Sequence, residues 1–355
     1  MNRLEEVRKI IDPMLLEITD DVERRCAYIH LYGVSQLAAM LALRRDLDPE
    51  IAAVSGMCHD IYAYCTGIIP LHDQNSAEMI RPIIRDMGTF SDTEQVTIIS
   101  AVFHHSDKAH IHQPYDELLK DADLLQHYLY NTGLPVNKEK TIRLESVLAE
   151  FGLPGGFKVS ECKPPDKPVG AVEDKRAKLA DIGEELASED IVGLPEDPRF
   201  CTICRYWPGK DVINRFNGYW CAAFVYHCCM EAGFVLPMRH PLVSCRFPAV
   251  KAWLDWARLP ETGFFHGVDD VSFMPGRGDL VVYDGLLSDG PHDHIGIVLS
   301  CNGGTMLVAE GNGDANRSIV VRRSRREKVS GFIRIDNGWK YEAEGQVYDP
   351  QRLIG

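Results

Sequence analysis

No run of about 18 consecutive apolar residues occurs in the chain, which argues against a membrane span. The opening Met-Asn-Arg-Leu-Glu-Glu leads straight into an amphipathic pattern and lacks the basic and apolar regions of a secretory signal. Basic residues are scarce beside acidic ones: 38 Lys and Arg stand against 52 Asp and Glu, for a formal net charge of −14. Neutralising a phosphate backbone needs clustered Lys and Arg, so a nucleic-acid polymer is excluded as a bulk partner. One nucleotide in a pocket is not, because a metal can supply the positive charge there. There is no internal repeat and no low-complexity tract, which excludes a solenoid or array. Cysteine is plentiful, eleven in all and odd in number. Without a secretion signal these read as reduced thiols of a cytoplasmic protein. Cys201 and Cys204 form a lone Cys-x-x-Cys, and the adjacent Cys228 and Cys229 do not supply the second pair that a structural zinc site requires.

The 355 residues suffice for two domains, and 45% hydrophobic content provides apolar material for two cores. Residues 1–155 read as helices. Asp48-Pro49 suits an N-cap followed by proline in the first turn, Ser91 with Glu94 makes a capping box, and Gly152 suits a helix stop. Few stretches there alternate with period two. Residues 156–198 change character: Gly156, Pro164, Pro165 and Pro168 punctuate a charged segment, read as a linker with one exposed helix over 171–187. Residues 199–337 carry helices over 220–232 and 249–258, then short strand-like runs at 279–283, 294–299, 305–309, 318–322 and 331–335. Residues 338–355 read as a C-terminal tail. The expected fold class is multidomain, an all-α domain followed by an α+β domain with an antiparallel sheet.

Two constellations carry chemistry. His30 falls in a helix over 22–43, His59 and Asp60 are adjacent near the end of the next helix, and Asp121 and Asp123 lie on a later one beginning near Tyr115. A divalent metal needs several N and O ligands from different elements. Adjacent helical residues point about 100° apart, so a His-Asp doublet shares one metal only at the edge between their directions. The order His, His-Asp, Asp on helices, with His72 before Ser76-Ala77-Glu78 and the run Ala101-Val102-Phe103-His104-His105-Ser106, resembles the HD superfamily of metal-dependent phosphohydrolases over residues 20–130. The resemblance implies His30, His59, Asp60 and Asp123 as ligands of a divalent metal (Mn, Fe, Co, Ni, Zn or Mg), Asp123 because Ala122-Asp123-Leu124-Leu125 matches the family pattern. The helical wheel disagrees, placing Asp121 closer to the buried stripe of Leu118, Ala122, Leu125 and Leu129. His72 and His105 suit a second metal or a substrate phosphate. The resemblance implies a phosphate ester or nucleotide as substrate, and because the longer signature of cyclic-dinucleotide esterases is missing, the substrate is not specified further.

In the second half, Asn217-Gly218-Tyr219-Trp220-Cys221-Ala222-Ala223-Phe224-Val225 places a cysteine at the start of an apolar helix. Helix N-termini offer free N–H groups and partial positive charge, which favour an anionic sulfur. His294 opens a strand and can take a thiol proton, and Glu310 and Asn312 close the next strand. His292, two residues earlier, shares a strand face with His294, so spacing alone does not exclude it. Trp253 and Trp256 share a helix face and read as packing. Trp220-Cys221-Ala222-Ala223-Phe224-Val225, Pro275-Gly276-Arg277-Gly278-Asp279, Asp293-His294-Ile295-Gly296 and Glu310-Gly311-Asn312 together resemble the CHAP family of papain-like cysteine amidohydrolases and peptidases, over residues 200–336. The resemblance implies Cys221 as nucleophile, His294 as base, Glu310 as its orienting acceptor and Asn312 as further polar support. It selects His294 over His292. It also implies an amide or peptide substrate, including peptidoglycan-derived peptides. The expected protein is a bifunctional hydrolase. The rival expectation is a regulatory or ligand-binding protein in which one domain has lost its chemistry.

Overall fold

The computed structural model describes residues 2–153, 155–160, 174–209 and 212–348. The chain divides into two compact units. One comprises the described residues before 161 together with Ala343–Tyr348, the other those from 174 through 342.

The first unit is helical: α1 (Arg3–Leu16), α2 (Asp21–Arg44), α3 (Pro49–Cys58), α4 (Ile61–Thr66), α5 (His72–Met87), α6 (Asp92–His104), α7 (Pro114–Tyr130) and α8 (Lys138–Glu150). Its helix starts follow from local chemistry. The side chains of Asp20, Asp48 and Ser91 accept first-turn N–H groups, and Ser91 with Glu94 closes the expected capping box. Gly152, in the left-handed region at φ 65°, follows α8. Helix α3 lies at the centre, with every residue from 51 to 58 buried. It packs so closely on α2 that a Cβ on Gly56 would stand 2.8 Å from Ser35 Cα. There Ser35 Oγ donates to the Ala53 carbonyl at 2.8 Å. By length and composition α2 is apolar enough to cross a membrane, but its face of Ala27, Leu31, Val34 and Ala38 is buried and the helix packs on α3 and α7.

Two expectations change here. A short strand, β1 (Val136–Asn137), pairs in parallel with β2 (Val159–Ser160), so residues 159–160 belong to this unit and not to a linker. Residues 343–348, expected within a tail, are also part of it: Gln74 Nε2 donates to the Ala343 carbonyl at 3.2 Å and the Gly345 N–H to Asp107 Oδ2 at 3.0 Å. Residues 349–355 lie outside the described residues.

The second unit contains α9 (Lys175–Ser188), α10 (Pro198–Cys204), α11 (Val212–Phe216), α12 (Cys221–Glu231), α13 (Val250–Ala257) and the strands β3 (Phe265–Gly267), β4 (Leu280–Tyr283), β5 (His294–Asn302), β6 (Thr305–Glu310), β7 (Ile319–Ser324) and β8 (Val329–Ile333). The six strands form one antiparallel sheet in the order β3-β8-β4-β5-β6-β7. Val281, Tyr283, Val298, Met306, Val308 and Phe332 build an apolar cluster on it. Trp253 and Trp256 are fully buried against Phe247 and each other, as packing residues.

Helix α9 corrects the linker expectation. It buries Leu179, Ala180, Gly183 and Ala187 and packs on α12, β5, β6 and β7. Its charged residues dominate the sequence, whereas the buried stripe is made mostly of small side chains that leave little hydropathic signal. The part of the expected linker at 161–173 lies outside the described residues. The Cys201–Cys204 pair holds no metal-type cluster among the described residues; Cys204 is buried and the Cys201 thiol donates to the Pro195 carbonyl.

Gly56→Ala forces a methyl into the α2–α3 contact. Overpacking of this kind costs about 1–3 kcal/mol, and a urea titration should show the loss, with an unchanged midpoint counting against so tight a contact.

Candidate functional sites

In the helical unit, four imidazoles are held the same way. Each Nδ1 faces an acceptor oxygen: His30 to Gln126 Oε1 at 2.7 Å, His59 to the Gly56 carbonyl at 2.8 Å, His72 to the Ile69 carbonyl at 2.9 Å and His105 to the Val102 carbonyl at 2.8 Å. Nδ1 therefore carries a proton in each ring, and Nε2 is turned inward, free to ligate a metal. Three of the four acceptors are main-chain carbonyls three residues earlier, so the local backbone fixes the rings.

The inward atoms converge. His30 Nε2 lies 3.0 Å from His59 Nε2, and Asp60 Oδ2 lies 3.3 Å and 3.5 Å from these two nitrogens. Asp123 Oδ1 completes the group at 3.7 Å and 3.9 Å. The other oxygen of Asp60, Oδ1, faces His72 Nε2 at 3.2 Å and His105 Nε2 at 3.1 Å. It is buried and accepts no aligned hydrogen bond. Asp60 thus stands between two sets of imidazoles, forming one metal-type cluster with His30 and His59 and another with His72 and His105, while Asp123 joins His30 and His127 in a third.

Electrostatics make the same point. Burial pulls the His59 pKa down to about 3, so its Nε2 is a bare lone pair. Against burial, Asp60 raises the His72 imidazole to about 9. Burial opposes ionisation of Asp60 too, but His59, His105, His30 and His72 hold its carboxyl well below the usual range. Crowded lone pairs and carboxylate oxygens need cations or protons between them. The residues present fit divalent metal, with N and O donors of the kind that transition metals prefer.

The structure separates the two aspartates. Asp121 is held by Arg45 at 2.7 Å and Arg143 at 2.5 Å, whereas Asp123 faces the ligand cluster. The helical wheel favoured Asp121, but α7 is buried on all sides from Leu118 to Gln126, so burial does not distinguish the two positions. Three residues escaped sequence reasoning. Gln126 orients His30. Lys108 Nζ lies 3.0 Å from Asp123 Oδ2, and His127 Nε2 lies 3.3 Å from Asp123 Oδ1. The positions of Gln126 and His127 at i+3 and i+4 from Asp123 were the available signal.

In the second unit Cys221 begins α12, and its N-cap Trp220 makes no side-chain capping bond. The first-turn N–H groups are thus free of a cap. His294 opens β5 and is fully buried. Its Nε2 lies 3.1 Å from Glu310 Oε2, a close ion pair without hydrogen-bond alignment, and its buried Nδ1 makes no aligned hydrogen bond either. Burial lowers the imidazole pKa, but Cys221 and Glu310 outweigh it and raise the value to about 10. Glu310 is buried as well; against that burial, Arg323 and His294 lower its pKa. Arg323 grips it with both arms of the guanidinium, Nε to Oε1 at 2.9 Å and Nη2 to Oε2 at 2.6 Å. Arg323 escaped sequence reasoning because it lies on the neighbouring strand opposite Met306, and reaches Glu310 along the same face of the sheet only through the length of its side chain.

Two expectations are revised. Asn312 does not support the base: its Nδ2 donates to the Gly218 carbonyl at 2.8 Å, in the loop before Cys221. His292 is no rival base. It sits in a left-handed turn at φ 52°, ahead of the strand, and its Nδ1 pairs with Asp284 Oδ1 at 2.8 Å.

The family model described as HD domain matches residues 27–128, and the one described as CHAP domain matches residues 214–312. No curated protein and no solved structure matches the chain.

Two outcomes follow from these sites. In elemental analysis of purified protein, Asp121→Ala should keep its metal, whereas Asp123→Ala and the double change His59→Ala, Asp60→Ala should lose it. Metal at a hundredfold above its Kd should stabilise the wild type by about 2.7 kcal/mol, and no shift on metal addition would contradict the site. For His294, whose folded pKa of about 10 exceeds the ordinary 6.5, the stabilisation is whole below pH 6.5 and is lost as pH climbs through about 10. Urea midpoints should fall across that window in the wild type and flatten in His294→Gln.

Proposed function

For a chain that carries an HD domain and a CHAP domain, we propose two hydrolytic activities: metal-dependent cleavage of a phosphate ester or nucleotide, and cysteine-dependent cleavage of an amide or peptide bond. The observation that supports this reading best is that both residue sets are complete. Four histidines and two aspartates converge in one unit, and a chain of Arg323, Glu310, His294 and Cys221 is assembled in the other.

In the first activity a divalent cation would supply positive charge to the phosphate oxygens and acidify water. His30, His59, Asp60 and Asp123 would hold one ion, and Asp60, His72 and His105 a second. The chain's own contribution is orientation: the Nδ1–H bonds keep the Nε2 atoms turned inward before any ion arrives. Protons on His30 and His72 stand in for cations when none is bound, so metal uptake releases protons and weakens as pH falls.

In the second activity the thiol proton of Cys221 would already rest on His294, whose raised pKa favours an imidazolium beside a thiolate. The sulfur bonds to the carbonyl carbon of the amide, the C–N bond breaks, and the amine leaves with the proton returned by His294. Water, deprotonated by His294, then cleaves the thioester and frees the acid and the thiol. The Cys221 N–H, free of a side-chain cap, faces the developing oxyanion. Glu310 holds the imidazole and Arg323 holds Glu310, so neither carries the transferred proton. The substrate class is a peptide or other small amide, with peptidoglycan-derived peptides among the candidates. The described cysteines are all free thiols, which suits a cytoplasmic setting for both reactions.

A pair of knockouts tests the division. Cys221→Ala should abolish amide cleavage and leave hydrolysis of a phosphate-ester panel intact, and His59→Ala with Asp60→Ala should do the reverse. Iodoacetamide at low pH should alkylate Cys221 ahead of the other thiols. His294→Ala should slow that reaction more than Glu310→Ala or Arg323→Ala. Even labelling over several cysteines, indifferent to His294, would leave a CHAP fold without its chemistry.

A further inference from the structure

Between β6 and β7 the chain makes a tight turn through Asp314–Asn316, and the side-chain amide of Asn316 is bonded at every position it offers. Its Oδ1 accepts from the Gly218 N–H at 3.1 Å and from Trp220 Nε1–H at 2.8 Å. Its Nδ2 donates to the Gly193 carbonyl at 2.9 Å and to Asn217 Oδ1 at 2.8 Å. Two acceptances and two donations exhaust a primary amide. Three of the four go to residues 217–220, the segment that delivers Cys221 to the start of α12.

Independent observations show how constrained this junction is. Asn312 Nδ2 donates to the Gly218 carbonyl, so the Gly218 residue is held at its N–H by one asparagine and at its C=O by another. The buried Trp220 ring leaves no space around it: a Cβ on Gly193 would stand 2.3 Å from Trp220 Nε1 and from Asn316 Oδ1, and one on Gly311 would stand 2.8 Å from Trp220 Cζ3. Asn312, Ala315 and Asn316 all lie in the left-handed region, at φ 56°, 56° and 59°. For the alanine this conformation is unfavourable, and the turn keeps it while aiming the Asn316 amide at the loop.

The start of α12 supplies the reason for such a device. A helix is ordinarily begun by a Ser, Thr, Asp or Asn side chain folded over its first N–H groups. Such an oxygen would occupy the donors that a developing oxyanion needs beside Cys221. Here the N-cap is Trp220, with no capping bond from its side chain. The indole N–H instead points outward to Asn316, so the helix start is fixed from outside and its N–H groups remain clear.

We propose that Asn316 is a positioning residue for the nucleophile, setting the 217–220 loop so that the Cys221 sulfur meets the His294 imidazole. The proposal rests on the thiol reading above.

The test uses the full chain and the second-order rate of Cys221 alkylation by iodoacetamide, followed by peptide mass across a pH series, with thermal unfolding alongside. Asn316→Asp keeps both acceptor bonds but turns lone pairs toward the Gly193 carbonyl and Asn217 Oδ1; Asn316→Ala removes all four bonds. Both should alkylate about tenfold or more slowly near pH 6, with a profile moved toward that of an ordinary thiol. A wild-type rate and profile with only a lowered melting temperature would make Asn316 merely structural and overturn the proposal. Should both variants fail to fold, Trp220→Phe decides, because it keeps the ring packing and removes only the indole bond: a several-fold slower rate supports the role and an unchanged rate overturns it. His294→Ala, run in parallel, separates the two readings. If it leaves alkylation untouched, the thiol reading falls and the positioning role with it. If it slows alkylation while the Asn316 and Trp220 variants do not, only the positioning role falls.

Discussion

Asp60 is one carboxylate serving two groups of imidazole nitrogens, one on each oxygen. Most of the helical unit can be understood as the means of holding that arrangement. Two oxygens of one residue cannot be moved independently, so α2, α3, α5 and α6 must bring their histidines to the same point. The α2–α3 approach at Gly56 and Ser35 draws the helix of His30 against the helix that ends in His59. Main-chain carbonyls one turn back then fix three of the rings without any further side chain. Burying so many acceptor atoms together is unfavourable on its own. A divalent ion among these atoms would turn the same crowding into coordination.

The second unit solves a different problem, which is to keep a charged chain stable away from water. Glu310 and His294 are both fully buried, and each would resist ionisation alone. Arg323 offsets the cost for Glu310, Glu310 for His294, and His294 for the sulfur of Cys221. The order follows from the sheet: Arg323, Glu310 and His294 come from β7, β6 and β5, which are neighbours in that sequence. A partial set would leave a buried charge without a partner, so the chain is stable only when whole.

Helix starts, the helical or mixed character of each half, and most of the residues that gather at the two candidate sites were legible in the amino-acid sequence. Capping boxes, periodicity and a cysteine at a helix start are local, and local signals depend only on a few consecutive residues. Resemblance selected Asp123 where periodicity favoured Asp121, and His294 over His292 where spacing left both open. Other features were misread for a common reason. The α9 stripe of Leu179, Ala180, Gly183 and Ala187 is nearly silent in hydropathy, and its value lies in fitting under a sheet that the segment itself cannot reveal.

What the sequence determined by itself was therefore the inventory: two units, most of their secondary structure, a set of histidines and aspartates, and a cysteine and a histidine that share the second site. Tertiary structure alone decided the pairings. It gave Asp121 to two arginines and Asp123 to the imidazoles, turned Asn312 from the base to the nucleophile's loop, and brought Arg323 and Asn316 into play. The physical reason is that periodicity tells which face of an element is buried, while the identity of a partner depends on register between strands and on how closely helices approach. Those are properties of two segments at once, and no single stretch of chain encodes them.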